Sequence, residues 1–367
     1  MISTSIRRAI APSIAGLAVV ATLAACGADN EDSADPAASA APSGLSGKLN
    51  AGGASSQEKA QAAWVASMQE ANDGLTIDYA PVGSGDGRAG FISGEFAFAG
   101  TDSALDDDEG ELTAATETCG ASPIQVPAYV SPIAIAYNLP GVDSLNLSAD
   151  VVSDIFSGKI TNWSDPAIAD GNEGVPDLAI TPVHRSDDSG TQENFTKYLE
   201  EAGSWSYEAD GVWPSDIKGG EGAEGTSGVA SVVGATEGAV GFMDNSAALE
   251  SDFTVVSVAV GAEFVPPSSE AAAKILEVSE PAGLTDTDMA VSLARDTEES
   301  GVYPVVLVSY LLACQSYDDA DQAELVKAYL EFVLSSEGQQ LAAEEAGSAP
   351  LPSSIEEQAL TLVGTIS

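Results

Sequence analysis

The sequence is centred on residues 183–195, which read VHRSDDSGTQENF. Arg185 offers a planar fork of N–H donors to an oxyanion, and Asp187 is placed to brace that fork. Three small residues follow at a predicted helix start: Ser189, Gly190 and Thr191. The two hydroxyl groups, the close main-chain approach that glycine allows and the helix N-terminus together favour binding of a small tetrahedral anion. An ordinary capped helix after a surface turn fits the same residues, so the rest of the chain must decide between the two.

Three predicted strands upstream, residues 45–50, 75–80 and 96–99, are each followed by small polar residues. The loops after these strands contribute four candidate ligands: Ser55, Ser56, Ser84 and Asp102. Ligand sites of open α/β sheets lie outside the carboxyl ends of the strands. A tight turn or cap explains any one of these loops alone, but three in succession favour an α/β fold with a ligand site at the sheet edge.

Apolar runs and glycine-rich stretches predict the other elements. Residues 123–139 form a long apolar passage that predicts a strand crossing between two domains, and residues 238–243 predict a strand that crosses back. Residues 81–88 and 215–228 are rich in glycine and predict loops. The acidic run 106–111 predicts a solvent-exposed segment with no further role.

The chain is strongly acidic, with 57 Asp and Glu against 12 Lys and Arg and a formal net charge of −45. This charge excludes nucleic acid as a partner, because neutralising phosphates requires basic residues in number. An apolar fraction of 44% over 367 residues is enough for two domains with hydrophobic cores. Salt screens surface carboxylates beyond about 8 Å, so donors inside a closed cleft can still hold an anion.

The amino terminus predicts a targeting segment. Two arginines precede a short apolar run that ends in Leu-Ala-Ala-Cys at Cys26, which is similar to a bacterial lipobox. We expect residues 1–25 to be a signal peptide and Cys26 to carry a lipid; an ordinary secretory signal with a chance cysteine is the alternative. Residues 26–46 are rich in Ala, Ser, Asp and Pro and predict a flexible tether. The folded part is then expected outside the cell, anchored to the outer face of the cell membrane.

Cys119 and Cys314 are the two cysteines that remain after lipidation. An even pair in an oxidising compartment predicts a disulfide, with two buried thiols as the alternative. One histidine and two cysteines do not favour a metal site. We therefore expect neither a metal nor another cofactor.

Several short motifs follow one another along the chain. They are Ala-Gly-Gly-Ala-Ser-Ser at 51–56, Gly-Ser-Gly at 83–85, Thr-Asp at 101–102, Phe-Ser-Gly-Lys-Ile-Thr-Asn-Trp at 156–163, Arg-Ser-Asp-Asp-Ser-Gly-Thr at 185–191, Gly-Ala-Val-Gly-Phe at 238–242, Gly-Gln at 338–339 and Pro-Leu-Pro at 350–352. Taken in this order, they resemble the phosphate-binding lipoproteins of bacterial phosphate ABC importers, the PstS family. The resemblance covers most of residues 45–352. The order and spacing of these motifs favour the anion site over the simple capped helix.

The resemblance implies an α/β Venus-flytrap fold of the type II periplasmic-binding class, with two lobes joined by two crossing strands. Lobe I is expected to comprise residues 47–130 and 250–367, and lobe II residues 131–249. Inorganic phosphate, and also arsenate, is expected to bind between the lobes. The closed form is expected to dock as a monomer on the membrane subunits of an ABC importer.

The resemblance also implies which residues contact phosphate. They are Ser55, Ser56, Ser84, Asp102, Arg185, Ser189, Gly190 and Thr191. Asp187 is expected to brace Arg185. Ser56 is expected to contribute its main-chain N–H, because relatives often carry phenylalanine there. Asp86 departs from the family pattern and is given no ligand role.

Asp102 gives the expected selectivity a physical basis. An oxyanion about 4 Å from a carboxylate is repelled by about 4 kcal/mol at an effective dielectric constant of about 20. A ligand that carries a proton avoids this repulsion by donating a short O–H···O⁻ bond. Phosphate at neutral pH is partly protonated and sulfate is not. We therefore expect phosphate and arsenate to bind and sulfate to be rejected.

Two alternatives belong to other functional classes: a secreted phosphate-ester hydrolase, and a ligand-free adhesin or signalling ectodomain on the same fold. The only histidine is His184, and no G-x-S-x-G motif frames a serine, which leaves little chemistry for hydrolysis. The nearly complete set of donors argues against a ligand-free protein. We therefore expect a binding protein that is not an enzyme.

Overall fold

The computed structural model describes residues 41–367, which belong to one compact unit. The predicted signal peptide, the lipidation site Cys26 and most of the predicted tether lie outside the described residues. No helix within residues 41–367 is long and apolar enough to cross a bilayer.

Strands alternate with helices along most of the described chain. The strands are β1 Ser46–Gly53, β2 Gly74–Ala80, β3 Phe98–Thr101, β4 Ile124–Tyr137, β5 Leu145–Leu147, β6 Thr181–Arg185, β7 Glu221–Ala223, β8 Ala239–Asp244, β9 Thr254–Val260, β10 Glu263–Val265, β11 Glu280–Pro281, β12 Val291–Ser292 and β13 Val306–Ala313. The helices are α1 Glu58–Ala71, α2 Ser84–Ile92, α3 Glu111–Cys119, α4 Ala149–Phe156, α5 Pro166–Ala169, α6 Gly190–Ala202, α7 Gly225–Ala235, α8 Asn245–Glu250, α9 Ser269–Ala273, α10 Ile275–Val278, α11 Ala320–Leu334, α12 Ser336–Ala346 and α13 Ser353–Val363. A 3₁₀ turn, Ser55–Gln57, leads into α1.

The main sheet contains two groups of parallel strands. Its order is β2-β1-β3-β13-β4-β8-β6-β7, and β9 pairs with β4, β5 and β10 beside this path. Strands β1, β2 and β3 are parallel and form what we call the first half-sheet. Strands β6, β7 and β8 are parallel and form the second half-sheet. Because parallel strands end at the same edge, the loops that follow β1, β2 and β3 meet there.

Strand β4 links the two half-sheets. Its residues 124–132 pair with β13, and its residues 133–137 pair with β8. All residues of β4 and β13 are buried, which explains why both read as continuous apolar runs without alternation. The strand predicted from the apolar passage 123–139 is therefore confirmed.

Aromatic pairs pack against each half-sheet within one continuous hydrophobic core. In the first, Phe98 of β3 packs on Tyr329 of α11 with ring centroids 5.0 Å apart. In the second, Phe195 of α6 stacks on Phe242 of β8 at 4.2 Å and meets Phe156 of α4 edge-on at 4.9 Å. Aromatic pairs bury large areas in defined geometries, so these contacts fix the helices that carry the loops described below.

Two stretches predicted as loops contain helices, so those predictions were wrong. Helix α2 begins at Ser84 within residues 81–88, and residues 215–228 include β7 and the start of α7. The glycines of residues 81–88 allow α2 to pack closely against the main chain of β1 instead of forming a loop. A Cβ on Gly87 would lie 2.4 Å from the Cα of Gly53. The third strand was also placed too early, since β3 spans Phe98–Thr101 and Asp102 follows it directly.

The acidic run 106–111 has a structural role that its composition did not predict. Glu111 begins α3, and its Oε2 accepts a hydrogen bond from Nε of Arg88 at 2.7 Å. The interpretation of this run as solvent-exposed and without further role was therefore wrong for Glu111.

The predicted disulfide is confirmed: Cys119 and Cys314 are bonded across a sequence separation of 195 residues. The bond ties the end of α3 to the residue that follows β13.

Candidate anion-binding site

Asp102 is the centre of the site. It follows β3, is 3% exposed, and accepts hydrogen bonds from three hydroxyl groups. Ser56 donates to Oδ1 and Oδ2 at 2.7 and 2.8 Å, Ser309 donates to Oδ1 at 2.7 Å, and Thr191 donates to Oδ2 at 2.9 Å. Burial raises the pKa of Asp102 above its usual value; the three hydroxyls and the charge of Arg185 oppose that rise.

Helix α6 begins at Gly190, within the helix start predicted for Ser189, Gly190 and Thr191, and its first turn contacts Asp102. The Ser189 hydroxyl caps it by accepting from the Gln192 N–H at 3.2 Å. A Cβ on Gly190 would lie 2.7 Å from Oγ of Ser84 and 2.8 Å from Cβ of Asp102, so only glycine allows this approach. The same Ser84 hydroxyl accepts from the Asp102 N–H at 3.1 Å. These contacts hold the N-terminus of α6 at the carboxyl end of β3.

Arg185 is the last residue of β6 and is almost completely buried. Its Nε donates to Oδ1 of Asp187 at 2.8 Å, and its Nη2 donates to Oδ2 of the same carboxylate. Burial tends to raise the pKa of Asp187, but the hydrogen bonds and charge of Arg185 outweigh burial and lower it. A guanidinium has five N–H donors, so the brace leaves others for an anion.

Ser55 has a different partner from the other predicted ligands. Its hydroxyl lies 3.1 Å from the Thr226 hydroxyl and accepts from the Thr226 N–H at 3.2 Å. Thr226 lies in the first turn of α7, and the N–H of Gly225 donates to Asp187 at 3.1 Å. The contact therefore joins the loop after β1 to the helix after β7.

Four helical segments begin around Asp102 and Arg185. They are the turn that leads into α1, and α2, α6 and α7. The first N–H groups of a helix have no partner within it, and its N-terminus carries a partial positive charge. Their convergence brings the partial positive charges of several helix ends together in a chain whose net charge is strongly negative. The arrangement suits a small anion.

All eight predicted contact residues are buried, and the structure brings them together in this region. Asp86, which was given no ligand role, is exposed. Ser56 differs from expectation in one respect, since its side chain and not only its main chain is engaged. Whether these residues contact a ligand stays a prediction.

Two residues of the site were missed by the sequence reasoning: Thr226 and Ser309. A signal existed for each. Thr226 follows Gly225 at a helix start, as Thr191 follows Gly190. Ser309 is a hydroxyl residue in an otherwise apolar strand, and a buried polar side chain needs a partner.

Among the described residues, the contacts of His184 are with the main chain and with an aromatic ring, and no serine hydroxyl is hydrogen-bonded to it. Its Nδ1 lies 2.8 Å from the Arg185 carbonyl, and its ring stacks on Trp213 with centroids 4.6 Å apart. Burial lowers the pKa of His184. Within residues 41–367, no group of three or more His, Cys, Asp or Glu side chains is arranged to hold a metal ion.

Comparisons with known proteins agree on the family. A PBP superfamily domain matches residues 38–337. The chain is 32% identical over 332 residues to a phosphate-binding protein named PstS 2 from Mycobacterium tuberculosis, covering 87% of each chain. It is 33% identical over 333 residues to one named PstS 3 from Mycobacterium leprae, covering 87% of this chain and 86% of that one. The chain belongs to the PstS family.

The fold of this PstS-family chain is also that of solved phosphate-binding proteins. A phosphate-binding protein from Stenotrophomonas maltophilia superposes with a TM-score of 0.68 at 20% identity, covering 86% of this chain and 94% of that one. A periplasmic phosphate-binding protein solved with phosphate at pH 8.5 gives a TM-score of 0.67 at 23% identity, covering 86% and 93%. The predicted α/β fold of the type II periplasmic-binding class is confirmed.

Proposed function

We propose that the chain captures inorganic phosphate between the two half-sheets and delivers it to an ABC importer. One observation carries the proposal: a buried carboxylate, Asp102, is hydrogen-bonded to side chains at three helix starts, and the buried Arg185 acts on it electrostatically. The helix ends and Arg185 attract an anion, whereas Asp102 repels any anion that has no proton to donate. Relatives named phosphate-binding proteins support the same ligand.

The number of hydrogen bonds that the Asp102 carboxylate can accept explains why the ligand should donate one hydrogen bond to it. A carboxylate offers about four lone-pair positions. Hydroxyls of Ser56, Thr191 and Ser309 supply three hydrogens, and the Ser56 hydrogen is shared between both oxygens. When Ser56 donates to only one oxygen, a position is free to accept one short O–H···O⁻ bond from hydrogen phosphate or from hydrogen arsenate. Sulfate has no proton to give and should be rejected.

The lobes are part of the proposal: residues 47–130 with 250–367 form lobe I, and residues 131–249 form lobe II. Contacts between these segments support a closed form that ligand binding favours. Thr191 donates to Asp102, Ser103 donates to Glu193, and Ser55 contacts Thr226. We further propose that the protein works as a monomer outside the cell, held to the membrane by a lipid on Cys26.

Equilibrium binding tests the proposal directly. Purified protein titrated with radiolabelled phosphate should bind with a dissociation constant near 1 μM or tighter, about 8 kcal/mol. A thousandfold excess of sulfate should not displace the phosphate, whereas arsenate should. Equal binding of sulfate, or no binding of phosphate, contradicts the proposal.

The hydrolase alternative makes the opposite prediction for turnover. A phosphatase acting on p-nitrophenyl phosphate needs a paired nucleophile or a metal. The observed contacts of His184 offer no such pair. We expect no release of p-nitrophenol above the uncatalysed rate at any pH between 5 and 9.

A further inference from the structure

A buried series of hydrogen bonds leads from helix α11 to Asp102. We call it the Gln57 relay, and its members are Tyr329, Gln61, Gln57 and Ser309. The Tyr329 hydroxyl donates to Oε1 of Gln61 at 2.6 Å, and Nε2 of Gln61 donates to Oε1 of Gln57 at 2.7 Å. Nε2 of Gln57 donates to Oγ of Ser309 at 2.7 Å, and that hydroxyl donates to Asp102.

The direction of the relay is decided by one main-chain carbonyl. Nε2 of Gln57 also donates to the Tyr310 carbonyl at 3.0 Å. A carbonyl can only accept, so the amide of Gln57 cannot be reversed without leaving that oxygen facing another acceptor. With Nε2 so placed, Oε1 of Gln57 faces Gln61 and must accept. Gln61 therefore donates to Gln57, and Tyr329 donates to Gln61.

The same direction determines where the Ser309 proton goes. A serine hydroxyl has a single hydrogen, and Ser309 already accepts from Gln57. Its hydrogen is therefore free to point at Asp102, 2.7 Å away. The members of the relay are all buried, so water does not offer a competing partner.

An irregularity in the pairing of β13 with β4 supports this orientation of the Ser309 side chain. The pairing of β13 with β4 shifts register between Ser309 and Tyr310, so Ala128 of β4 has no paired residue. Such irregularities re-aim side chains beside functional sites. A Cβ on Gly100 would lie 2.5 Å from Oε1 of Gln57, so the glycine in β3 leaves room for the amide.

We propose that Gln57, with Gln61 and Tyr329 behind it, is a specificity-determining positioning residue. The relay keeps Ser309 as a donor and thereby holds Asp102 as an ionised acceptor that only a protonated oxyanion can satisfy. The inference rests on the proposed phosphate-binding function and adds residues that do not touch the ligand. It also explains the buried glutamines, which are costly to bury unless both ends of each amide are satisfied.

Other titratable groups face Asp102 and must be separated from the relay in any test. Arg185 of β6 acts on Asp102 electrostatically, and the charge of Asp102 raises the pKa values of Asp244 of β8, Tyr79 of β2 and Tyr129 of β4. A measurement that reads Asp102 alone is therefore required. Carbon-13 NMR of the side-chain carboxyl supplies it, with the signal assigned by its loss in Asp102→Asn.

The decisive variant is Gln57→Glu, which keeps the shape of the side chain and reverses its polarity. A glutamate cannot replace both N–H donors of the amide: ionised it donates to neither Ser309 nor the Tyr310 carbonyl, and protonated it has one hydrogen for the two. Ser309 would then be free to turn its hydrogen from Asp102 towards residue 57. Ser309→Ala removes the same donor in a second way and tests the proposal if Gln57→Glu does not fold. A hydrogen bond to a charged group is strong enough that its loss should change the affinity ratio about tenfold or more.

Gln339→Glu is the matched control. Gln339 is also buried, and its Nε2 also donates to two main-chain carbonyls, those of Ala128 and Val333. It has no bond to Asp102 or to the relay. Gln339→Glu therefore also introduces a buried carboxyl group, but it leaves the hydrogen bond from Gln57 to Ser309 unchanged.

The full-length chain and each variant are titrated with phosphate and with sulfate from pH 5 to pH 8. We expect the ratio of phosphate to sulfate affinity at pH 6 to fall about tenfold or more in Gln57→Glu and in Ser309→Ala. The Asp102 carboxyl should titrate at higher pH in both. Gln339→Glu should match the wild type in both measurements.

The outcomes separate the inference from the proposed function. If both relay variants keep the wild-type ratio and the wild-type titration of Asp102, the relay has no part in selectivity and the inference is overturned. An equal change in Gln339→Glu overturns it too, because the effect would then be structural. If the wild type does not bind phosphate but the Asp102 titration still moves in the relay variants, the proposed function fails while the relay's control of Asp102 stands.

Discussion

Asp102 and Asp244 are two buried aspartates at the carboxyl ends of strands, in the first and the second half-sheet respectively. Asp102 accepts from hydroxyls 46, 89 and 207 residues away in sequence. Asp244 is 1% exposed and is the N-cap residue of α8: its Oδ1 accepts from the N–H and the hydroxyl of Ser246. Its Oδ2 has no hydrogen-bond partner in the part of the chain that the structure describes.

The difference lies in what opposes the rise in pKa that burial causes in both carboxylates. Burial raises the pKa of Asp244 to about 6, and the nearby Ser131 and Ser246 hydroxyls offset burial only in part. Asp102 is equally buried but has donors on both oxygens and the charge of Arg185 nearby. A local cap supplies donors to one oxygen, whereas donors from distant segments are required to supply both.

The largest expected effect is on stability, from removal of the disulfide. It tests whether selectivity for phosphate over sulfate depends on the hydroxyl donors around Asp102 or on the rigidity of the fold. Replacing both Cys119 and Cys314 by serine removes a crosslink over 195 residues. By chain entropy this lowers the free energy of unfolding by up to about 5 kcal/mol. Urea denaturation measures the loss. Because the disulfide touches neither carboxylate, the ratio of phosphate to sulfate affinity should stay within about twofold of wild type; a larger change would show that rigidity matters.

The second prediction removes the charge of Asp102. In Asp102→Asn the repulsion of about 4 kcal/mol disappears, so sulfate should bind up to about a thousandfold more tightly relative to phosphate. Competition binding measures the ratio. The control is Asp86→Asn, an exposed position at the start of α2. Unchanged sulfate affinity in Asp102→Asn would contradict the role assigned to the carboxylate.

The third prediction concerns Asp244 and the pH dependence of stability. The pKa of Asp244 in the folded state is about 6, above the ordinary value of 3.8. The folded state therefore favours the protonated carboxyl. The stabilisation that results is fully present below pH 3.8 and is lost as the pH rises through 6. The loss is about 3 kcal/mol for a shift of about two units. Asp244→Asn should abolish it and be more stable than wild type at pH 7.5, as measured by urea denaturation.

The same change at Asp319 tests capping alone. Asp319 also caps a helix, α11, but is exposed. Asp319→Asn should not reproduce the gain at pH 7.5. If Asp244→Asn is no more stable than wild type at that pH, the carboxylate is not destabilised by burial, and the contrast with Asp102 is wrong.

The smallest effect is expected at Thr226, which contacts Ser55 and not Asp102. Thr226→Val keeps the shape and removes one hydrogen bond, about 1 kcal/mol. Phosphate affinity should fall about fivefold with no change in its ratio to sulfate affinity. Ser227→Ala, at the exposed neighbour, is the control and should bind as wild type does. A change of ratio in Thr226→Val would extend the selectivity site beyond the donors of Asp102.

Much of the site could be predicted from local sequence. Ser189 as a cap, Gly190 as the start of α6 and Arg185 braced by Asp187 are features of neighbouring residues, and the structure has each of them. The glycine-rich stretches were harder to interpret, because glycine favours turns and also allows helices to pack closely. Helix α2 and the start of α7 were missed for that reason.

Residue types and short spacings were enough to predict the α/β class, the cap of α6 and the cysteine pair. The set of hydroxyls around Asp102 follows from the folded chain and not from any short stretch of it. Ser309 comes from β13, 207 residues from Asp102 in sequence. Gln57 directs the hydroxyl hydrogen of Ser309, and the Tyr310 carbonyl holds the Gln57 amide in place. Donor and acceptor direction in a buried network depends on three-dimensional neighbours, and no local pattern in the chain encodes it.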